Sequence, residues 1–460
     1  MDLKINSQGI EGAVTGDRVN CVSHMLYADD LSLTTNDPGE MQTMLNRLRG
    51  YSRKKGLTVN TAKSEVVHFN SKSVSPLQNP FTYEGVVLPE RDRFKYLGML
   101  LDKKMDLKVA EGHAVQPYMA AQKRIADFAK DHDLKNRPHA MLWLSKVYGI
   151  PAGMYASQVW GTEYLSEGSE FDSQVQKRHL CSLRRILGVK NSTTNWSVLR
   201  ECGHEPLQFF WFRASIRFFN SMLDSNSDVL RRVLKADLHL ASFDSSCWSA
   251  QVSSVFGGLQ DGALFRQKML RASQVPMQEF ISDLRLRQQK VWIEADGVCP
   301  RAVNKKAVTY HKWCGSSECG PRGSPYCIPS YLFKDVDKHV LRNVSRFRLR
   351  AHHLRVESPC KWLGGSSICD KCECGEVQDE KHALFFCKSA EVCELRSRYK
   401  DLFEKMFKTL HAFASSDAGF IPFLACHHTV TDFEINAFLN QDSYRLLRFV
   451  SDLVSIFDTG

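Results

Sequence analysis

The chain has no stretch approaching the roughly 18 uninterrupted apolar residues that a membrane-spanning helix needs. Its first residues, Met1-Asp2-Leu3-Lys4-Ile5-Asn6, lack the apolar centre of a secretory signal. Internal repeats, low-complexity tracts and lipidation signals are missing too. These absences argue against a membrane protein and lead to an intracellular, reducing location, in nucleus or cytoplasm. There the 15 cysteines are thiols or metal ligands, not a disulfide framework. Acidic residues are the short side of the charge balance, 51 Asp and Glu against 61 Lys and Arg, for a formal net charge of +10. A polyanionic partner is the economical reading of that excess, with a merely basic globular protein as the plain one. At 460 residues, 43% hydrophobic and 24% charged, the chain is expected to fold as roughly two to four domains.

What is present begins with two β-favouring runs, residues 19–26 and 31–35, flanking Tyr27-Ala28-Asp29-Asp30. Two strands around an Asp-Asp pair predict a hairpin with carboxylates at its tip. Adjacent anions repel and are not cheaply desolvated. Divalent cations relieve that repulsion, and Mg²⁺ favours one or two carboxylates together with phosphate oxygens. The plain alternative is a surface turn, where Asp is common. Next, Asp37 suits a helix N-cap, Pro38 the first helical position and Glu40 the third, a pattern like a capping box. Met41, Met44, Leu45, Leu48 and Tyr51 form one apolar stripe, and Arg53, Lys54, Lys55 and Gly56 end the helix. Residues 65–69 read as a strand, and 94–101 as another.

Strand-Tyr-Ala-Asp-Asp-strand, helix, the segment Gly56-Leu57-Thr58-Val59-Asn60-Thr61-Ala62-Lys63-Ser64, a strand, then Phe94-Lys95-Tyr96-Leu97-Gly98, resembles the second half of the palm of a non-LTR retrotransposon reverse transcriptase. The resemblance implies that Asp29 and Asp30 are metal-binding carboxylates for Mg²⁺. It implies that Lys63 is a proton donor to leaving pyrophosphate, unless it is a plain solvated lysine. It puts Tyr96, Leu97 and Gly98 where the family grips the primer end. The same family carries a further aspartate on an earlier strand, a fingers region and a Gly-rich helix segment. Of the 26 residues before Tyr27, the carboxylates Asp2, Glu11 and Asp17 lie in polar, Gly-containing sequence. The expectation is a truncated chain that does not polymerise DNA alone, with any nuclease of the element upstream.

From about 110 to 235 the pattern is helical, with helices expected from Pro117 to Lys130 and from Pro138. The segments 150–161, 183–189 and 199–207 resemble the thumb of the same elements. Lys177, Arg178, Arg184 and Arg185 would there track the phosphate backbone of an RNA template paired with a DNA primer or target; a solvated face of a core helix is the alternative. Residues 236–335 are less informative, with loops expected at Ser242–Ser246 and Ser253–Gly258. His311, Cys314, Cys319 and Cys327 form a loose group that reads more simply as scattered thiols than as a zinc site.

Val340, Val344, Phe347, Ala351 and Leu354 recur at helical spacing, with Arg342, Arg346 and Arg350 on the opposite face. No carboxylate lies between Arg342 and Arg355, so the arginines are expected to face solvent or a phosphate backbone. Cys369-x2-Cys372-x9-His382-x4-Cys387 follows, a donor set of the kind Zn²⁺ takes in closed tetrahedral sites. Cys374 is an alternative to Cys369 or Cys372. The arrangement resembles the zinc-binding module after the thumb in these elements. The reading is thus an α+β chain: a partial palm of antiparallel sheet with helix (1–110), a mostly helical thumb (111–235), a connector (236–335), the Arg-rich helix and zinc module (336–400), and C-terminal helices (401–460). Its rival is a non-catalytic RNA- or DNA-binding remnant.

Overall fold

Two strand-forming runs joined by only two residues can close as a tight hairpin, and they do. In the computed structural model, which describes residues 13–14, 21–69, 80–166, 168–295, 309–310, 312–313, 327–357, 366–408 and 430–458, a small antiparallel pair β1 (Ala13–Val14) and β2 (Cys21–Val22) precedes the hairpin of β3 (His24–Tyr27) and β4 (Asp30–Leu33). The register pairs Tyr27 with Asp30 and Leu26 with Leu31, leaving Ala28 and Asp29 as the turn. Asp2, Glu11 and Asp17 lie outside the described residues, as do His311, Cys314, Cys319 and Leu410.

Helix α1 (Pro38–Lys55) starts where the sequence calls for it: Asp37 Oδ1 accepts from the Glu40 N–H at 2.8 Å, and Gly56 ends the helix at φ 65°. The Glu40 carboxylate also accepts from Thr35 Oγ1 at 2.7 Å. Met44, Leu45 and Leu48 are buried. Leu45 and Leu48 pack with Phe81, Tyr83 and Leu88, and Leu31 and Leu33 of β4 lie against that cluster. At about 1.5–3 kcal/mol for each large buried side chain, this contact fixes the hairpin through β4. On β3, Met25, Leu26 and Tyr27 stay exposed.

Two strand expectations need correction. Residues 65–69 make only a single parallel bridge, Val66 with Glu90. A second short hairpin, β5 (Thr82–Tyr83) with β6 (Val86–Val87), covers α1 instead. The run 94–101 is not one strand but a hairpin, β7 (Arg93–Tyr96) and β8 (Met99–Asp102), turning at Leu97 and Gly98 with φ 46° and 85°. Gly98 was the turn signal inside an apolar run.

The rest is helical. α2 (Leu107–Asp131) begins ahead of the expected Pro117, which lies inside it; Asp106 Oδ1 accepts from the Lys108 N–H at the true start. α3 (Pro138–Leu144) begins on Pro138 as expected and continues through a π-turn, Ser145–Gly149, into α4 (Ile150–Ala152). Then come α5 (Ser157–Trp160), α6 (Gln174–Leu187), α7 (Asn195–Glu201), α8 (Leu207–Asp224), α9 (Asp228–Leu240), α10 (Trp248–Ser254), α11 (Gly262–Leu270) and α12 (Met277–Ala295). The loop expected at Ser253–Gly258 is the end of α10 and a 3₁₀ turn, because buried Phe256 pins it. The C-terminal part holds α13 (Lys338–Arg348), α14 (Ala390–Arg398), α15 (Lys400–Lys408), α16 (Asp432–Leu439) and α17 (Tyr444–Asp458). The mixed architecture, small antiparallel pairs among many helices, agrees with an α+β chain.

The chain divides into two units: Met1–Pro117 with Gly153–Val175 and Leu207–Leu284, and Tyr118–Ala152 with Gln176–Pro206 and Arg285–Gly460. The first contains the four strand pairs β1 to β8 and an aromatic core in which Trp211 packs edge-on to Trp160 and Phe280 packs edge-on to Phe212 and Phe265. In the second, α13 lies along α17, and Phe385, Phe403, Phe438 and Phe449 interlock. Among the described residues no helix is long and apolar enough to cross a membrane.

Candidate functional site

The β3–β4 turn projects its acids into solvent. Ala28 takes the left-handed conformation (φ 51°), Asp29 is the second turn residue and Asp30 the first of β4, and both carboxylates are exposed. Among the described residues neither side chain, nor that of Lys63, makes a hydrogen bond or ion pair, and no third metal-ligating group joins Asp29 and Asp30. Two free neighbouring carboxylates suit one Mg²⁺ that completes its shell with water and phosphate oxygens. Lys63 sits exposed at the end of a 3₁₀ turn, Thr61–Lys63, whose N–H donates to Asn60 O.

Tyr96, Leu97 and Gly98 form the corner of the β7–β8 hairpin. Tyr155, which the sequence reading did not single out for this corner, holds it: its hydroxyl donates to Leu97 O, and a Cβ at Gly98 would stand 3.2 Å from Tyr155 Cε1. Phe94 stacks edge-on with Phe69 and lies 6.3 Å from Tyr96.

The basic residues separate into two kinds. On α6, Lys177, Arg178 and Arg185 are exposed along one face. Arg184 is not part of it: it is 7% exposed, and Nη2 donates to Thr193 O and Asn195 Oδ1. On α13 the expected three-arginine face is corrected. The helix ends at Arg348, and Arg350 lies beyond it at φ 53°, paired with Glu357 at 2.8 Å and Glu380 at 3.2 Å. Arg346 donates to Gly188 O and lies 3.5 Å from Asp458; burial, then the charge of Arg342, lowers its pKa. Arg342 alone of the three is exposed. Arg348, beside them, is buried against Glu201 at 2.7 Å, and Glu201 also accepts from Tyr310 and Tyr331. Of the counter-anions only Glu357 is near in sequence, just past the carboxylate-free stretch that ends at Arg355; Glu201, Glu380 and Asp458 are remote.

Cys369, Cys372, His382 and Cys387 converge, with one donor atom from each within 4.8 Å of the others. A bridge between Ile368 and Val377 and the hydrogen bond from Cys369 N–H to Glu376 O close the loop bearing the first two cysteines. A π-turn, His382–Phe386, delivers the other pair. The sulfurs of Cys369 and Cys387 are 3.9 Å apart, and Cys372 Sγ is 3.5 Å from His382 Nε2. A tetrahedral Zn²⁺ would set these separations at about 3.8 and 3.6 Å, so the donors fit the ion in kind and spacing. Glu376 lies 3.4 Å from His382 Nδ1, which leaves Nε2 free as a donor, and Gln378 Nε2 donates to Cys369 Sγ at 3.3 Å. Burial opposes the Cys372 thiolate, but hydrogen bonds from Cys374 and from backbone N–H groups outweigh it and take the thiol down to about 6; burial pushes Cys387 up to about 12. Cys374, Glu376 and His382 form a second, overlapping group.

Residues 8–101 match the family described as reverse transcriptase (RNA-dependent DNA polymerase). That span contains the Asp29–Asp30 turn, Lys63 and the Tyr96–Gly98 corner. Over 224 residues, 46% of this chain, the sequence is 30% identical to a probable RNA-directed DNA polymerase from transposon BS of Drosophila melanogaster. The aligned part is 23% of that relative, so the chain spans about a quarter of its length. The first likeness is to reverse transcriptases in general and the second to a transposon's probable RNA-directed DNA polymerase.

Proposed function

We propose that the chain is a portion of a non-LTR retrotransposon RNA-directed DNA polymerase that includes part of the palm, the thumb and a zinc module. Residues 1–110 supply part of the palm, 111–235 a thumb, 236–335 a connector, 336–400 a zinc module behind the α13 arginines, and 401–460 closing helices. The observation that carries this reading is the two-residue turn presenting Asp29 and Asp30, free of internal partners, inside the span that matches the family. Mg²⁺ held by these two carboxylates would supply the charge that offsets a nucleotide's phosphates. Lys63 would protonate the leaving pyrophosphate, and the Tyr96–Gly98 corner would seat the primer terminus. Zn²⁺ on Cys369, Cys372, His382 and Cys387 would be structural.

Among the described residues two acidic ligands stand at the metal site, fewer than a two-metal displacement uses. The 460-residue chain by itself is therefore expected to hold an RNA–DNA hybrid without extending it. Primer extension with Mg²⁺ or Mn²⁺ tests this directly. Nucleotide incorporation that disappears in Asp30→Asn would show a working palm and overturn the expected inactivity. Failure to bind any hybrid at low salt would overturn the polymerase reading itself.

The second reading, a non-catalytic RNA- or DNA-binding protein, is favoured by a separate observation. The exposed cations Lys177, Arg178, Arg185 and Arg342 all belong to the second unit, and the two acids to the first. Binding that is indifferent to Asp29→Asn and Asp30→Asn, with no metal dependence, selects this reading.

A further inference from the structure

The Cys–His cluster holds one thiol more than a four-coordinate cation uses. Cys374 Sγ lies 3.0 Å from Cys372 Sγ and 3.8 Å from His382 Nε2, so it competes for the same centre. We propose that Cys372 and Cys374 are an oxidation site, at which a peroxide closes a disulfide between them and frees the metal. The proposal rests on the zinc reading of the cluster.

Three features select this pair. Residues 371–374 run through a bend into a turn, which folds the chain back and brings sulfurs two residues apart together. A disulfide has a sulfur–sulfur length of about 2.05 Å, so closure needs roughly 1 Å of further approach. Access differs as well. Cys369 and Cys387 are buried and 3.9 Å apart, whereas Cys372 and Cys374 are both half-exposed to a small oxidant. Finally, Cys372 belongs to the four-donor group, so its oxidation removes a ligand. A thiolate binds zinc, and a disulfide sulfur is a poor donor in its place.

The chemistry balances with a hydroperoxide as the only co-reactant. The Cys372 sulfur attacks one peroxide oxygen and the O–O bond breaks. This leaves a sulfenic acid on Cys372, no longer a zinc ligand, and an alkoxide or hydroxide, which takes up a proton from water because the zinc-bound thiolate carries none. The Cys374 sulfur then attacks the sulfenic sulfur, the S–S bond forms, and the S–O bond breaks. The departing hydroxide takes the Cys374 proton and leaves as water. Two thiols are oxidised and one peroxide is reduced. A dithiol reverses the change by exchange.

The test uses the full chain loaded with zinc. Zinc content is measured first, hydrogen peroxide is then titrated in with a colorimetric zinc chelator present, and free thiols are alkylated and mapped by peptide mass spectrometry. The expected result is zinc release in step with a Cys372–Cys374 cross-link, restored on adding dithiothreitol and zinc. In Cys374→Ser the Cys372 sulfenic acid has no thiol to condense with, so it should persist to trapping by dimedone and no dithiothreitol-reversible cross-link should form at Cys372, while Cys393→Ser behaves as the unchanged chain. Release without that cross-link in the unchanged chain, or a Cys374→Ser chain in which Cys372 yields no trapped sulfenic acid, overturns the proposal while leaving the zinc site standing. A chain that takes up no zinc at all sinks both. Because the cross-link is mapped in the unchanged chain, a Cys374→Ser variant that fails to fold does not remove the decision.

Discussion

Tyr118, His179 and His204 form a buried chain of hydrogen bonds that admits one arrangement of protons. Leu142 O can only accept, so His204 Nε2, 3.1 Å away, carries a proton and His204 Nδ1 is bare. His179 Nε2 therefore donates to it at 3.2 Å, His179 Nδ1 is bare in turn, and the Tyr118 hydroxyl donates there at 2.9 Å. A second proton on either ring would force the Tyr118 hydroxyl to turn from donor to acceptor, and on His204 would also require His179 to change tautomer. Burial depresses both imidazoles, helped at His204 by Lys146, which brings that ring down to about 3. An unfolded histidine protonates near 6.5. The neutral pair thus contributes its full stability above that pH and loses it as pH falls toward 3, by about 1.4 kcal/mol per unit for each group. Urea midpoints measured between pH 7.5 and 4.5 should fall steeply, and less so in His179→Gln; equal slopes would refute the assignment. Glu201 makes a related prediction. It is fully buried and accepts from Arg348, Tyr310 and Tyr331. Glu201→Ala strands a buried guanidinium and should cost about 3–5 kcal/mol in chemical denaturation.

At the scale of elements, the β7–β8 turn and helix α6 separate what pattern reveals from what it hides. Gly98 could be read as a turn residue, but not the tyrosine that closes over it, because Tyr155 comes from 58 residues further along. Gly98→Ala places a side chain at φ 85° and 3.2 Å from that ring. It should lower the thermal midpoint by the equivalent of about 1–2 kcal/mol. Leu97→Gly, relieving φ 46° on a branched residue, should be neutral or stabilising. α6 falls in the span read only as helical, and its four cations looked alike until packing sorted them. Lys177→Glu, Arg178→Glu or Arg185→Glu should each weaken hybrid binding and reduce the salt slope by about one, read by fluorescence anisotropy. Arg184→Ala should instead reduce stability, with binding by the folded fraction unchanged. The Asp29–Asp30 turn was readable because the two strands that pair around it are its immediate neighbours in sequence. The 65–69 run misled because strand propensity says nothing of whether a partner strand is present.

At the scale of the whole chain, order along the sequence carried more information than any single motif: acids on a hairpin, then helices, then the Cys–His spacing. What it could not carry was charge pairing at a distance. The arginines of α13 and just beyond it looked unpaired because, Glu357 apart, their anions Glu201, Glu380 and Asp458 stand before or well after them. Glu380 is the joint in this arrangement. It meets both Arg350 and His352 and lies two residues from His382. Burial opposes its charge, but those two partners hold its carboxyl below the usual carboxylate range. Stripping the cation from the cluster would loosen the turn that carries Glu380 and leave two neighbouring bases without their anion. A chelator should therefore act far beyond the knuckle, opening the end of α13 to limited proteolysis at the Arg348–Arg350 bonds. In mechanical terms, the metal would be the rivet and Glu380 the bracket through which one small loop braces a helix on another part of the chain.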